Sequence, residues 1–275
     1  MTQRTILITG CSTGIGLEAA KSLKHRGWRV IGTARKAADR ANLETSIGIE
    51  TVTLELGDLA SVAACATEVL ARTNGTLDAL YNNAAFGQIG AMEDVTGAVL
   101  RHHFDVNVIG THELTRLLIP TMRQQGHGRI VTCSSVLGLV SGPYRGPYSA
   151  TKFAVEAMTD ALRYELYGSG IHVSLLEPGP IVSNFLDTTI STFKSSIDVA
   201  NSPHRAAYEK RLRAMETDTQ SKWKTGPEVV VKSLIHALES QRPKVRYRIS
   251  PHTYAIVAMK RILPQRIIDA IMVRT

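Results

Sequence analysis

Tyr148 and Lys152 stand four residues apart in "GPYSATKFAVEAM", a stretch with helical periodicity. At that spacing a phenol and an ammonium share one helical face, close enough for the cation to favour the ionised phenol. A tyrosine, with an ordinary pKa of about 10, then becomes a usable acid or base. A second reading is open, in which the lysine stem only packs over the ring. The neighbouring motifs decide between the two.

Upstream, "TGCSTGIG" follows the first apolar run and sets Gly10, Gly14 and Gly16 at a strand-to-helix turn. Glycine permits a tight turn and the close approach of a pyrophosphate, whose charge is met by free amides and by the positive end of the following helix. Ser12, Thr13 and Ile15 belong to the same loop and are candidate cofactor contacts. Roughly 20 residues on, where a fold that prefers NAD places an acid, the chain reads "GTARK". Arg35 and Lys36 suit the 2′-phosphate of NADP through charge-assisted pairing, whereas an aspartate there repels it. The expected cofactor is NADP(H) in preference to NAD(H); the bland alternative is a pair of solvated surface cations.

These groups need a scaffold. Short β-branched runs at 5–9, 29–34, 51–56, 77–82, 129–135, 172–177 and 245–250 alternate with helical patterns. That alternation predicts right-handed βαβ units and a parallel sheet covered on both faces. The expected fold is one doubly wound, Rossmann-type α/β domain over 1–275, with seven parallel strands. Residues 183–225 break the rhythm, being polar, rich in Ser and Thr, and holding one obvious helical piece, "PHRAAYEKRLRAME". So long an interval inside a domain is read as a lid over a substrate site.

The last stretch, 253–275, places Ile256, Met259, Ile262 and Leu263 before Pro264, and Ile267, Ile268, Ile271 and Met272 after it, with cations between. Those spacings predict two short amphipathic helices parted at the proline. Three settings are open for their apolar faces: the same subunit beside the lid, a second subunit, or peripheral contact with an anionic membrane surface.

With 275 residues, 44% hydrophobic and 20% charged, the chain has the composition of a globular protein able to bury a sizeable core. The formal net charge is +8. Arg242, Lys244, Arg246, Arg248, Lys260, Arg261, Arg266 and Arg274, set against Asp269 alone, supply most of it. The remainder is nearly neutral, which argues against a nucleic-acid surface. Cys11, Cys65 and Cys133 stand far apart without a CxxC pair, so neither a disulfide framework nor a zinc site is expected. No apolar run reaches the roughly 20 residues of a membrane span, and "MTQRTILITG" enters a strand directly without the stretch a signal peptide needs. A cytoplasmic enzyme is the plain reading.

Taken together, "TGCSTGIG", "NNAA", the Asn107 of "FDVNVIG", the "SS" ending the fifth run, Tyr148 with Lys152, and "EPGPIVS" resemble, in order and approximate spacing, the short-chain dehydrogenase/reductase family over almost the whole chain. The resemblance implies that Tyr148 is the catalytic acid or base and that Lys152 lowers its pKa and holds the nicotinamide ribose. It implies that Ser135 is the catalytic serine, with Ser134 on the opposite face of the strand, and that Asn107 holds a water on a proton relay from the lysine. Thr9 and Asn83 would steady the sheet beside the cofactor, Asn83 also contacting the adenosine half. Glu55, with Leu56 next to it, would bind the adenine. Pro178, Gly179, Ile181 and Ser183 join the cofactor contacts, Ser183 at the carboxamide. In the reduction direction the substrate carbonyl accepts from Ser135 and Tyr148, Tyr148 donates the proton, and the nicotinamide delivers hydride; no metal is required.

Three positions depart from the family pattern: Ala85 in place of glycine, Glu55 in place of aspartate if Asp58 caps the next helix, and Ser183 in place of threonine. Within the family, "GPIVSNF" and the C-terminal stretch look similar to the branch holding hydroxysteroid and retinol dehydrogenases and many bacterial oxidoreductases. Leu137, Val140, Pro143, Tyr144, Phe185 and Leu186 suit a small apolar carbonyl or alcohol substrate, and the resemblance implies a homo-oligomer. An epimerase or dehydratase using the same Tyr and Lys is disfavoured, because such relatives carry a different glycine spacing and a larger C-terminal domain. A non-catalytic NADP-binding redox sensor is disfavoured because a sensor has no need to keep Ser135, Tyr148, Lys152 and Asn107 together.

Overall fold

Strand β1 (Thr5–Ile8) turns Ile6 and Ile8 to one layer and Leu7 to the other, and all three are fully buried. An unbroken apolar run of this kind is what a sheet covered on both faces requires. In the computed structural model, which describes residues 3–217 and 225–273, the chain continues through α1 (Gly14–His25), β2 (Arg29–Ala34), α2 (Ala37–Ser46), β3 (Glu50–Thr53) and α3 (Leu59–Arg72). The second half follows the same plan: β4 (Ala79–Asn82), α4 (Gly97–Phe104), a π-helical turn (Asp105–Gly110), α5 (Thr111–Gln125), β5 (Gly128–Cys133) and a 3-10 turn (Val136–Gly138). Then come α6 (Gly146–Glu165), β6 (Ile171–Glu177), α7 (Phe185–Ser196), α8 (Arg205–Thr217), α9 (Pro227–Glu239), β7 (Arg246–Arg248), α10 (Pro251–Ile262) and α11 (Gln265–Met272).

The seven strands form one parallel sheet in the order β3-β2-β1-β4-β5-β6-β7. Successive strands run outward from β1 on one side and from β4 on the other, so the connections leave β1 and β4 in opposite directions and open a crevice at their C-terminal ends. One core layer joins Ile6, Ile8, Ala19, Ala20 and Leu23 to Val230, Val231 and Leu234 of α9. The other joins Leu7, Ile31 and Ile130 to Val62 and Val69 of α3 and Leu114, Leu118 and Met122 of α5. The expected seven-stranded, two-faced α/β domain is therefore found.

Among the described residues, the interval expected to hold one helix holds two. Helix α7 hides in a Ser/Thr-rich sequence because its hydroxyls bond back to its own turns, Thr189 Oγ1 to Phe185 O at 2.8 Å and Ser196 Oγ to Thr192 O at 2.7 Å, while Phe193 carries the buried face. With α8 it builds a third cluster, Phe193, Ile197 and Tyr208 against Ile89 and Ala91, separate from both sheet layers. Polar ties close the cap: Tyr208 Oη accepts from Ala91 N at 2.7 Å, Ser202 donates to Asp94 at 2.6 Å, and His204 bridges Tyr144 (3.2 Å) and Glu93 (2.6 Å).

At the C-terminal end the two expected helices meet at Pro264, and Ile268 of α11 is buried. Thr253 Oγ1 donates to Glu177 O at 3.2 Å and Lys260 Nζ to Leu139 O at 2.6 Å, so α10 braces the subunit's own loops. Ile262, Ile267, Ile271 and Val273 stay exposed, and Arg274 lies outside the described residues. Two of the basic residues are not surface cations. Arg246 bonds Glu177 at 2.7 Å and pairs with Glu156 and Asp160, and Arg248 lies 3.7 Å from Glu177. Among the described residues no helix is long and apolar enough to cross a membrane.

Candidate active site

The glycine turn is built for close backbone approach. Gly10 and Gly14 have φ of +71° and +59°, and a Cβ on Gly16 would fall 2.1 Å from the Gly10 carbonyl oxygen. Thr13 is the N-cap of α1 but makes no side-chain cap bond, so the first-turn amides are left for another acceptor. A Cβ on Gly14 would touch Ser183 Cβ at 2.9 Å, which sets the loop after β6 beside this turn. Ser12 and Ile15 are half-buried there, Ile15 packing on the first core layer.

Thr9 ties β1 to β4. Its hydroxyl accepts from the Asn83 and Ala84 amides, each at 2.9 Å, and Asn83 Nδ2 donates to Thr9 O (3.0 Å) and Gly10 O (3.1 Å). Arg35 and Lys36 are exposed at the end of β2. Arg35 lies 3.6 Å from Glu55, a partner that spacing alone did not reveal. Asp58 caps α3 by accepting from Ala60 N at 2.9 Å, which fits the alignment that puts Glu55 beside the cofactor loop; Leu56 is buried. Pro178 O accepts from Val136 N at 2.8 Å, and Ile181 bridges to Thr225. A dinucleotide fits this surface: uncapped amides at α1, a glycine cradle, and cations at the end of β2.

Around Tyr148 the residues come from β5, the π-helical turn, α6 and α7. Ser135 follows β5, caps the 3-10 turn by accepting from Leu137 N at 3.1 Å, and is half-buried, while Ser134 is buried. Phe185 of α7 packs edge-on against the Tyr148 ring with centroids 5.5 Å apart. Leu186, one residue on, instead lines a cleft of about 770 Å³ between α7 and α8 with Ile181, Ser183 and Met215. Val140 is buried and Tyr144 joins the cap cluster, whereas Leu137 and Pro143 are partly exposed. Asn107 is buried in the π-helical turn, with its Nδ2 2.9 Å from Phe86 O and 3.4 Å from Thr151 Oγ1.

The electrostatics differ from the sequence expectation. Lys152 is buried and its ammonium donates to Cys133 O at 2.8 Å, 5.7 Å from the Tyr148 ring centre. Burial pushes the Tyr148 phenol above its usual range, opposed by the Ser135 hydroxyl and the Arg145 guanidinium. Burial also lowers the pKa of Lys152. Desolvation therefore sets the direction of both shifts, and the ammonium bonds a carbonyl rather than the phenol.

One residue escaped sequence reasoning. His103 is fully buried, its ring 6.1 Å from that of Tyr148 and its Nε2 2.8 Å from Asn107 Nδ2. The only available signal was its place four residues before Asn107, which puts both on one helical face.

This fold is a Rossmann-like α/β scaffold, and the comparisons with known proteins set the chain among oxidoreductases. The profile of the short chain dehydrogenase family matches residues 4–193, and the chain belongs to that family. It is 43% identical to the uncharacterized oxidoreductase YbbO of Escherichia coli (strain K12), over 98% of this chain and 94% of that protein. It is 31% identical to bovine (Bos taurus) retinol dehydrogenase 8, over 95% of this chain and 86% of that one. Among solved structures, a short-chain dehydrogenase from Streptomyces avermitilis superposes with a TM-score of 0.79 at 30% identity, covering 94% of this chain and 93% of that one.

Proposed function

We propose that the protein is an NADP(H)-preferring oxidoreductase that interconverts a ketone or aldehyde with an alcohol on an apolar substrate, Tyr148 acting as acid or base. The observation that best supports this is the meeting of Tyr148, Ser135 and buried Lys152 beside the crevice edge that carries the uncapped α1 turn. When bound, the dinucleotide supplies the hydride chemistry; the side chains handle the proton and the oxygen. Ser135 and Tyr148 donate hydrogen bonds to the carbonyl oxygen, and Tyr148 then transfers its proton to the developing alkoxide.

The apolar class is supported by Phe185 against Tyr148 and by the kinship with retinol dehydrogenase 8. The NADP preference is supported by Arg35 and Lys36 at the end of β2. The test is a screen of aliphatic and cyclic ketones, aldehydes and secondary alcohols, following dinucleotide absorbance with NADPH and NADH in parallel. Turnover of apolar carbonyls with NADPH is expected; no turnover of any carbonyl or alcohol with either dinucleotide would contradict the reading.

A further inference from the structure

The Asn107 amide is paired with the backbone of one residue in both directions: Phe86 N donates to Oδ1 at 3.1 Å, and Nδ2 donates to Phe86 O at 2.9 Å. One hydrogen of Nδ2 remains. His103 Nε2 lies 2.8 Å away, against 3.4 Å for Thr151 Oγ1, and the same nitrogen lies 2.9 Å from Phe86 O. The imidazole is wedged between aromatic rings, its centroid 4.8 Å from Phe86 and 6.1 Å from Tyr148, nearly parallel to the latter at 23°. Burial, helped by the Lys152 charge, holds its pKa down to about 4, so the ring is neutral at physiological pH.

A neutral imidazole has one N–H and one lone pair. Nε2 can accept from Asn107 or donate to Phe86 O, and in either tautomer Nδ1 has no hydrogen-bond partner among the described residues. A buried ring nitrogen without a partner, donor or acceptor, is destabilising. A phenyl ring at this place would fill the same aromatic slot without that defect, so packing does not account for histidine here.

We propose that His103 is a positioning residue for the proton path: its Nε2, set between the Asn107 amide and the Phe86 carbonyl, steadies that pairing, while its ring packs beside the Tyr148 phenol. The proposal rests on the Tyr148 chemistry given above.

The test compares His103→Phe, which keeps the ring, with His103→Gln, whose side-chain oxygen can again accept from Asn107. A medium-chain aliphatic aldehyde and NADPH serve as probes, and Tyr148→Phe is the control. For His103→Phe, a melting temperature at or above that of the parent is expected, with NADPH affinity within about twofold and kcat lowered about tenfold or more at nearly unchanged KM. The pH profile of kcat shifts, and His103→Gln recovers much of the lost kcat. Parent-like kcat and pH profile in His103→Phe overturn the proposal, as do equal losses in both variants accompanied by lowered melting temperatures. Retained turnover in Tyr148→Phe would instead sink the assigned chemistry, whatever His103 does.

Discussion

Lys152 Nζ donates to the Cys133 carbonyl at 2.8 Å while lying 5.7 Å from the centre of the Tyr148 ring. The ammonium is tied to the end of β5, and burial dominates the acidity of the phenol, raising its pKa. The protonated phenol therefore persists through neutral pH. Carbonyl reduction, which uses that form, is expected to hold roughly constant between about pH 6 and 8, while alcohol oxidation, which needs the phenolate, rises with pH. Initial rates in both directions across this range check the sign. An oxidation rate that falls as pH rises would contradict it.

Tyr148→Phe removes the proton donor and leaves the ring packing on Phe185. Turnover is expected to fall by about 10²- to 10⁴-fold, with NADPH binding, followed by fluorescence titration, nearly unchanged. Turnover close to that of the parent would mean that another group carries the proton.

Arg35 has Glu55 as a competing partner at 3.6 Å. Replacing Arg35 with Asp is expected to weaken NADPH about tenfold or more and to spare NADH, since the 2′-phosphate then meets a carboxylate. Glu55→Gln frees the guanidinium and is expected to tighten NADPH relative to NADH. Calorimetric titration of both cofactors decides the matter, and equal affinities of the unaltered protein for the two would remove the basis for the assignment.

The turn residues were legible in the sequence because backbone closeness forces their type: Gly16 has no room for a Cβ beside Gly10 O. Tyr148 and Lys152 were legible as a spacing, but not the direction of the ammonium, which depends on a carbonyl 19 residues away. Helix α7 was missed because residues that normally mark loops here bond within the helix. Arg246 was counted with a basic tail, whereas its partners Glu156 and Glu177 lie 90 and 69 residues away in sequence. Such long-range pairings leave no periodic trace.

Arg246 holds two buried carboxylates, and burial already raises the pKa of Glu156. Arg246→Met leaves Glu156 without its cation and Glu177 with Arg248 alone, at 3.7 Å, and is expected to cost about 3–5 kcal/mol near neutral pH, read from urea unfolding. Without the cation the folded-state pKa of Glu156 rises further above its unfolded value, so the native state then takes up the proton. The deficit should therefore shrink as pH falls toward about 5. A deficit independent of pH would assign the loss to packing alone.

The cap core, Phe193, Ile197 and Tyr208 with Ile89 and Ala91, shares none of its buried members with the layers that hold the sheet. A change of side-chain volume there is absorbed among its own few neighbours, far from the contacts that fix β1, β4 and β5. In evolutionary terms the molecule is modular. Under the proposed function, the cap can drift toward new substrates, one tolerated substitution after another, while the strands beneath keep the chemistry in register.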